Sequence, residues 1–130
     1  MNEESGGGRP EPILVRTKRF ALRVIRLYVA LPPSVEAQVI GKQLLRSGTS
    51  VGAQCREGHR SRSKAEFISK MNGALMELEE TTYWLELLSE TEIVVPSRLS
   101  DLCQEADELT AILVTIINNA RKNMGQKGSD

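Results

Sequence analysis

Aromatic residues make up only 4% of this chain of 130. So few rings argue against a stacking platform for bases or sugars. The five that occur, Phe20, Tyr28, Phe67, Tyr83 and Trp84, are scattered at helical spacings and read as core. Histidine occurs once, at His59. A di-iron four-helix bundle requires two Glu-x-x-His motifs, and the position three before His59 is Arg56, so the standard site is excluded. Cysteine occurs twice, as Cys55 and Cys103, too few for a disulfide framework and suited to a reducing compartment. No apolar run approaches the ~20 residues of a membrane span. The opening MNEESGGGRPEP is acidic and glycine-rich and lacks the apolar centre of a signal peptide. A cytoplasmic protein with no membrane partner is therefore expected, with residues 1–15 as a disordered tail.

What is present is enough hydrophobic residue, 40%, for one core. A chain of this length buries roughly two-thirds of its unfolded surface and is most simply a single domain. Net charge is zero, yet the charges are segregated. Between Arg16 and Lys70, twelve basic residues face three acidic ones, +9; between Met71 and Ala120, Arg98 stands alone against ten acidic residues, −9. Such asymmetry points to an anionic partner or a complementary subunit.

Apolar spacing predicts four helices. Phe20, Val24, Leu27 and Leu31 form one helical face starting near Thr17, and Pro32 ends it by denying Leu31 the helical region. A second helix opens near Pro33 or Ser34, with Glu36 favourably placed in the first turn. It carries the stripe Ile40, Leu44, Ser47, Val51 and Gln54 or Cys55, and stops at Gly58. Ser63-Lys64-Ala65-Glu66 is a capping box that opens the third, whose stripe is Phe67, Met71, Leu75, Leu78, Thr82 and Leu85. The fourth follows Pro96, capped by Ser97, with Leu99, Leu102, Ala106, Leu109, Leu113, Ile116 and Ala120 inward and Gly125 as its end. Four amphipathic helices with short connections define an all-α, antiparallel up-down four-helix bundle over residues 16–124, with 125–130 as a disordered C-terminal tail.

The segment LLRSGTSVGAQCREGHRSRSK, residues 44–64, stands out for its small residues. A phosphate-cradling loop needs a preceding strand and a Lys-Ser/Thr pair, and neither is there. Ser47, Gly48, Ser50, Gly52 and Ala53 instead make a thin helix that another backbone can approach. Each helical glycine costs about 1 kcal/mol relative to alanine, so Gly48 and Gly52 imply a contact that needs the space. Ser47 or Ser50 can bond back to the preceding turn.

The run QLLRSGTSVGAQCREGHRSRSKAEFISKMNGALMELEETTYWLELL closely resembles the signature of the bacterial four helix bundle protein family, whose founding members are encoded by intervening sequences of the large-subunit ribosomal RNA gene. The Arg46-Ser47-Gly48-x-Ser50 run, the Glu57-Gly58 pair, the Ser63-to-Phe67 helix start and the Glu80-to-Trp84 segment carry the resemblance, which extends from Phe20 to Asn123. One departure is Gln54, where the family usually has Asn. The resemblance implies a cone-shaped homopentamer with no established enzyme activity, and no cofactor is expected. A more distant resemblance, to the accessory protein of diversity-generating retroelements, implies binding to a reverse transcriptase and to nucleic acid.

Two sets of residues are candidates for function. Arg16, Arg19, Arg23 and Arg26 lie on one face of the first helix, and Arg56, Arg60, Arg62 and Lys64 follow in the basic loop. Guanidinium forks suit phosphate oxygens, so these eight are the nucleic-acid-binding candidates, for RNA, DNA or a nucleic-acid enzyme. The competing reading is a solvated face, or pairing with the acidic helices of the same bundle. The second set is structural: Arg46, Ser47, Gly48, Ser50, Gly52, Gln54, Glu57, Gly58 and Glu80, with an Arg46–Glu57–Glu80 network fixing register or a subunit contact. Two enzyme readings stay open beside these. Cys55, His59 and Cys103 are a weak zinc set lacking a fourth ligand. Glu77-x-x-Glu80 and Glu105-x-x-Glu108 resemble the Mg-binding pairs of all-α nucleotide pyrophosphatases. The sequence thus favours a non-enzymatic, oligomeric accessory or scaffold protein that contacts nucleic acid. A pure assembly module and a Mg-dependent nucleotide hydrolase are its rivals.

Overall fold

A computed structural model describes residues 11–129. It contains α1 (Ile13–Val29), α2 (Val35–His59), α3 (Lys64–Glu90) and α4 (Pro96–Ser129). Each helix packs on its chain neighbours, α1 closes against α4, and the two diagonals make no close approach. This is the expected up-down bundle. Its seams are unequal: α2 against α3 is the most extensive and α1 against α4 the loosest. None of the described helices is long and apolar enough to cross a membrane.

The helix ends follow from local chemistry, with some shifts from expectation. α1 begins at Ile13, directly after Pro12, so 13–15 are helical rather than tail. Its C-cap Ala30 is helical in conformation, and buried Leu31 tucks under the bundle before Pro32 turns the chain. Tyr28 donates to Gln38 (3.2 Å) and Gln38 to the Pro32 carbonyl (3.1 Å), tying the α1–α2 corner. Ser34 caps α2 by accepting the Ala37 amide at 3.3 Å. Ser63 caps α3 by accepting the Glu66 amide (3.0 Å), while the Glu66 carboxylate takes the Arg62 amide (2.9 Å), one residue earlier than the reciprocal partner of a capping box. Pro96 is the first residue of α4, not its prelude, so Ser97 lies inside the helix. Gly125 does not stop α4, which continues to Ser129. The remaining tail positions, 1–10 and 130, lie outside the described residues.

Gly58 also differs from expectation. It lies within α2, and no described glycine has a positive φ. It is buried where an added Cβ would stand 3.1 Å from Met71 Sδ and 3.3 Å from Lys70 Cβ, so it admits α3 rather than ending α2. The positive φ falls instead on Glu92 (59°), after α3. There the Glu92 amide donates to the Ser89 carbonyl and the Val94 amide to the Leu88 carbonyl, satisfying helix-end acceptors.

The core runs the length of the bundle, with Phe20, Leu44, Met71, Leu78, Leu85, Leu109 and Leu113 fully buried. The buried stripe of α3 is Ile68, Met71, Ala74, Leu78, Thr81, Leu85 and Leu88. The helix is rotated relative to the expected stripe because α2 and α4 both cover it. Phe67 and Leu75 become its half-buried flanks, and on α4 Ile117 takes the inner place given to Ile116. The thin side of α2 meets α1. A Cβ on Gly48 would stand 2.8 and 2.9 Å from the two Val24 methyls, and one on Gly52 3.3 Å from Thr17 Oγ1. On the other side of α2, buried Thr81 donates to Ser47 Oγ at 2.8 Å, so a buried polar pair joins α2 to α3.

Candidate nucleic-acid interface

The arginine stripe of α1 divides into three fates. Arg16 turns toward α4, where its guanidinium donates to both oxygens of Glu105 (3.1 and 2.7 Å) and to Glu108 (2.9 Å). Its side chain is only 16% exposed, so Arg16 is a clasp between helices rather than a free phosphate donor. The same bonds, with a further one from Gln104, hold the Glu108 carboxyl below its ordinary pKa. Arg19 pairs with Glu11 across the start of the helix. Arg23 and Arg26 make no ion pair with any described residue.

Arg23 and Arg26 line an open cleft of about 390 Å³ in the loose α1–α4 seam. The third cation there is Arg98, from the first turn of α4, and Leu27, Leu99 and Leu102 form part of an apolar floor. No acidic residue lines this cleft. Arg98 was not among the candidates read from sequence. Its signal was its isolation as the one basic residue in the acidic half, but its proximity to α1 depends on how α4 runs back along the bundle.

The basic loop lies at the other end of α1. Arg56, Arg60, Arg62 and Lys64 are all exposed and without ion pairs among the described residues. Arg56 and Arg60 border a shallow hollow with Leu14 and His59, and Arg56 shares an adjoining one with Lys18 and Arg19. Arg62 and Lys64 border a separate hollow beside Ser61, Ser63 and Phe67. The loop therefore presents cations on both sides of the α2–α3 corner. His59 is fixed there, its Nδ1 donating to the Cys55 carbonyl at 3.0 Å and its ring standing edge-on to Phe67.

The structural set resolves into separate contacts. Arg46 donates to Glu80 (2.6 Å) and Glu77 (3.3 Å), and the Trp84 indole donates to the same Glu80 oxygen (3.1 Å). Hydrogen bonds from Arg46 and then Trp84 lower the Glu80 pKa. Glu57 is not part of this network; it takes Lys70 at 2.8 Å on the surface. Ser50 bonds back to the Arg46 carbonyl at 2.7 Å. Gln54 is half-buried and lies over Gly73, where a Cβ would stand 3.1 Å from its amide oxygen. The longer Gln is thus accommodated by a glycine on the facing helix.

The carboxylates weighed for metal chemistry do not converge. Glu77 and Glu80 turn to Arg46 on α2, and Glu105 and Glu108 to Arg16 on α1. Among the described residues no three His, Cys, Asp or Glu side chains come together as metal ligands, so Cys55, His59 and Cys103 do not form a zinc set. Burial pushes the Cys55 thiol up to about 11, which leaves it protonated and inert.

These features describe an all-α bundle whose helices are laced by Arg–carboxylate pairs and which gathers Arg23, Arg26 and Arg98 at one place on its surface and Arg56, Arg60 and Arg62 at another. The chain belongs to the 23S rRNA-intervening sequence protein family, whose model matches residues 12–115. A crystal structure of a protein of unknown function from the S23 ribosomal protein family, from Bacteroides thetaiotaomicron, is 40% identical. The two superpose with a TM-score of 0.77 over 82% of this chain and 98% of that one. No curated protein matches the sequence.

Proposed function

We propose that the protein is a non-enzymatic accessory protein that contacts nucleic acid, RNA first among the candidates, through the basic corner between α2 and α3. The observation that carries this reading is the exposure of Arg56, Arg60, Arg62 and Lys64 with no ion pair among the described residues, while nearby Glu57 and Glu66 are occupied by Lys70 and the Arg62 amide. Cations left free at an exposed corner suit the backbone of a strand rather than base edges. The test is binding of a short structured RNA at two salt concentrations. Replacing Arg60 and Arg62 together by Gln is expected to weaken binding and flatten its logarithmic salt dependence by about 2. RNA binding that ignores salt, or that survives this change intact, would defeat the proposal. A DNA strand or a reverse transcriptase is a further partner of the same surface.

A second reading, self-assembly, rests on a different observation. The outer side of α1 exposes Val15, Leu22, Ile25 and Val29, and the start of α2 adds Val35 and Val39. An apolar stripe at intervals of seven, three and four on the solvent side of a helix suits a second helix. A copy of this chain is the fitting occupant, because one half of each chain is basic and the other acidic, which favours head-to-tail closure. Five copies is the count that the sequence resemblance implies. Ile25→Glu is expected to reduce the mass measured by light scattering while the helical signal persists. An unchanged mass would remove α1 from the interface.

A further inference from the structure

We infer that the Arg23–Arg26–Arg98 cleft binds a terminal phosphate of a nucleotide, with the sugar and base lying on its apolar floor. This inference rests on the nucleic-acid reading and adds a ligand class to it. Three guanidiniums line the cleft and no carboxylate does. Glu92, next in the chain to Ile93 of the lining, does not enter it. Arg16, Arg19 and Arg46 each meet at least one carboxylate, whereas Arg23, Arg26 and Arg98 meet none among the described residues. A group of three left unmatched in one concavity lacks its counter-charge.

The charge and shape of the cleft narrow the ligand. A phosphodiester within a strand carries one negative charge, whereas a terminal phosphate carries about −1.5 to −2 at neutral pH. Three cations with no acidic residue in the lining match the second better, and the forks of Arg can bind its oxygens in pairs. The first turn of α4, which supplies Arg98, adds the positive end of a long helix. Leu27, Leu99 and Leu102 give an apolar surface beside the cations, and the volume of about 390 Å³ falls in the range of small-molecule sites. At the corner of Arg56 to Lys64 the cations are spread over separate, more open hollows, and would bind any stretch of backbone.

The experiment compares fluorescence anisotropy of one short single-stranded RNA carrying a 5′-phosphate with the same RNA carrying a 5′-hydroxyl, using the full chain. The phosphorylated strand is expected to bind about tenfold tighter, a modest return for charge-assisted hydrogen bonds. Arg98→Gln is expected to abolish that preference, and Arg60→Gln to weaken both strands alike. Arg98 is exposed on the surface, so the variant is expected to fold, with helicity by circular dichroism as the check. AMP supplies the second arm. Displacement of the strand by AMP identifies a site for free nucleotides as well, and its failure to compete confines the site to strand ends. Equal binding of the two strands with no AMP binding would overturn the inference, as would an unchanged preference in Arg98→Gln, while leaving the basic corner intact. If instead no RNA binds but calorimetry detects AMP, lost in Arg98→Gln, the cleft stands and the nucleic-acid reading falls.

Discussion

Gly48 and Gly52 share a helix and a spacing that would class them together, but they differ in what stands opposite. The Val24 methyls leave no room for a Cβ on Gly48, whereas Thr17 stands at ordinary contact or slightly less from one on Gly52. Gly48→Ala should therefore destabilise the bundle by up to about 2 kcal/mol in urea unfolding, because overpacking of about 1–3 kcal/mol outweighs a gain in helix propensity of about 1 kcal/mol. Val24→Ala in the same chain should recover part of the loss, since it clears the clash. Gly52→Ala should be neutral or stabilising. The carboxylates give a second prediction at this scale. Glu80 and Glu108 are held below the ordinary 4.5 by Arg46 and Arg16 respectively. Their folded-state pKa values lie below the unfolded ones, so their contribution is complete above about pH 4.5 and is lost as the pH falls through the folded values. Urea midpoints across this window should fall toward acid, and Arg16→Gln should make the fall shallower. The need for small residues in α2 was legible in the sequence, because helical glycine is costly and so needs a reason. Which glycine is intolerant was not, because that depends on Val24 arriving at one of them.

Among the elements, the α3–α4 link carries the clearest local strain. Glu92 adopts φ 59°, a region that costs a residue with a Cβ about 1 kcal/mol or more. Glu92→Gly should raise stability by about 1 kcal/mol, measured as a shift of the thermal midpoint, with no change in helix content. The existence and order of all four helices could be read from the spacing of Phe20, Val24, Leu44, Val51, Met71, Leu78, Leu102 and Leu109, since amphipathic periodicity survives packing. The ends were less legible. Pro12 and Pro96 start helices, and only the backbone after them distinguishes a first helical residue from a preceding loop. Gly58 and Gly125 read as stops by composition, yet one admits Met71 and the other is carried within α4. The arginine stripe of α1 shows the same limit at the candidate site. Arg16 and Arg23 are equivalent by spacing, and only the run of α4 past α1 gives Glu105 and Glu108 to one and Arg98 to the other.

For the whole molecule, segregation of charge along the sequence becomes segregation by helix: α1 and α2 are basic, α3 and most of α4 acidic. Association with a polyanion should accordingly weaken steeply with salt while folding stability changes little, because Arg16 and its partners are partly sheltered and the remaining basic charges face water. Parallel measurements of RNA affinity and of the urea midpoint over one salt series would separate the two. The unequal seams have a consequence of their own. With α1 and α4 making the least extensive seam, the four helices behave as a folded strip whose two free edges meet. Such a strip breathes where its edges meet. A phosphate held by Arg23 and Arg26 on one edge and Arg98 on the other would act as a staple across the gap. Amide hydrogen exchange should then slow on binding along α1 and the first turns of α4, while the amides of α2 and α3, already locked together, keep their rates.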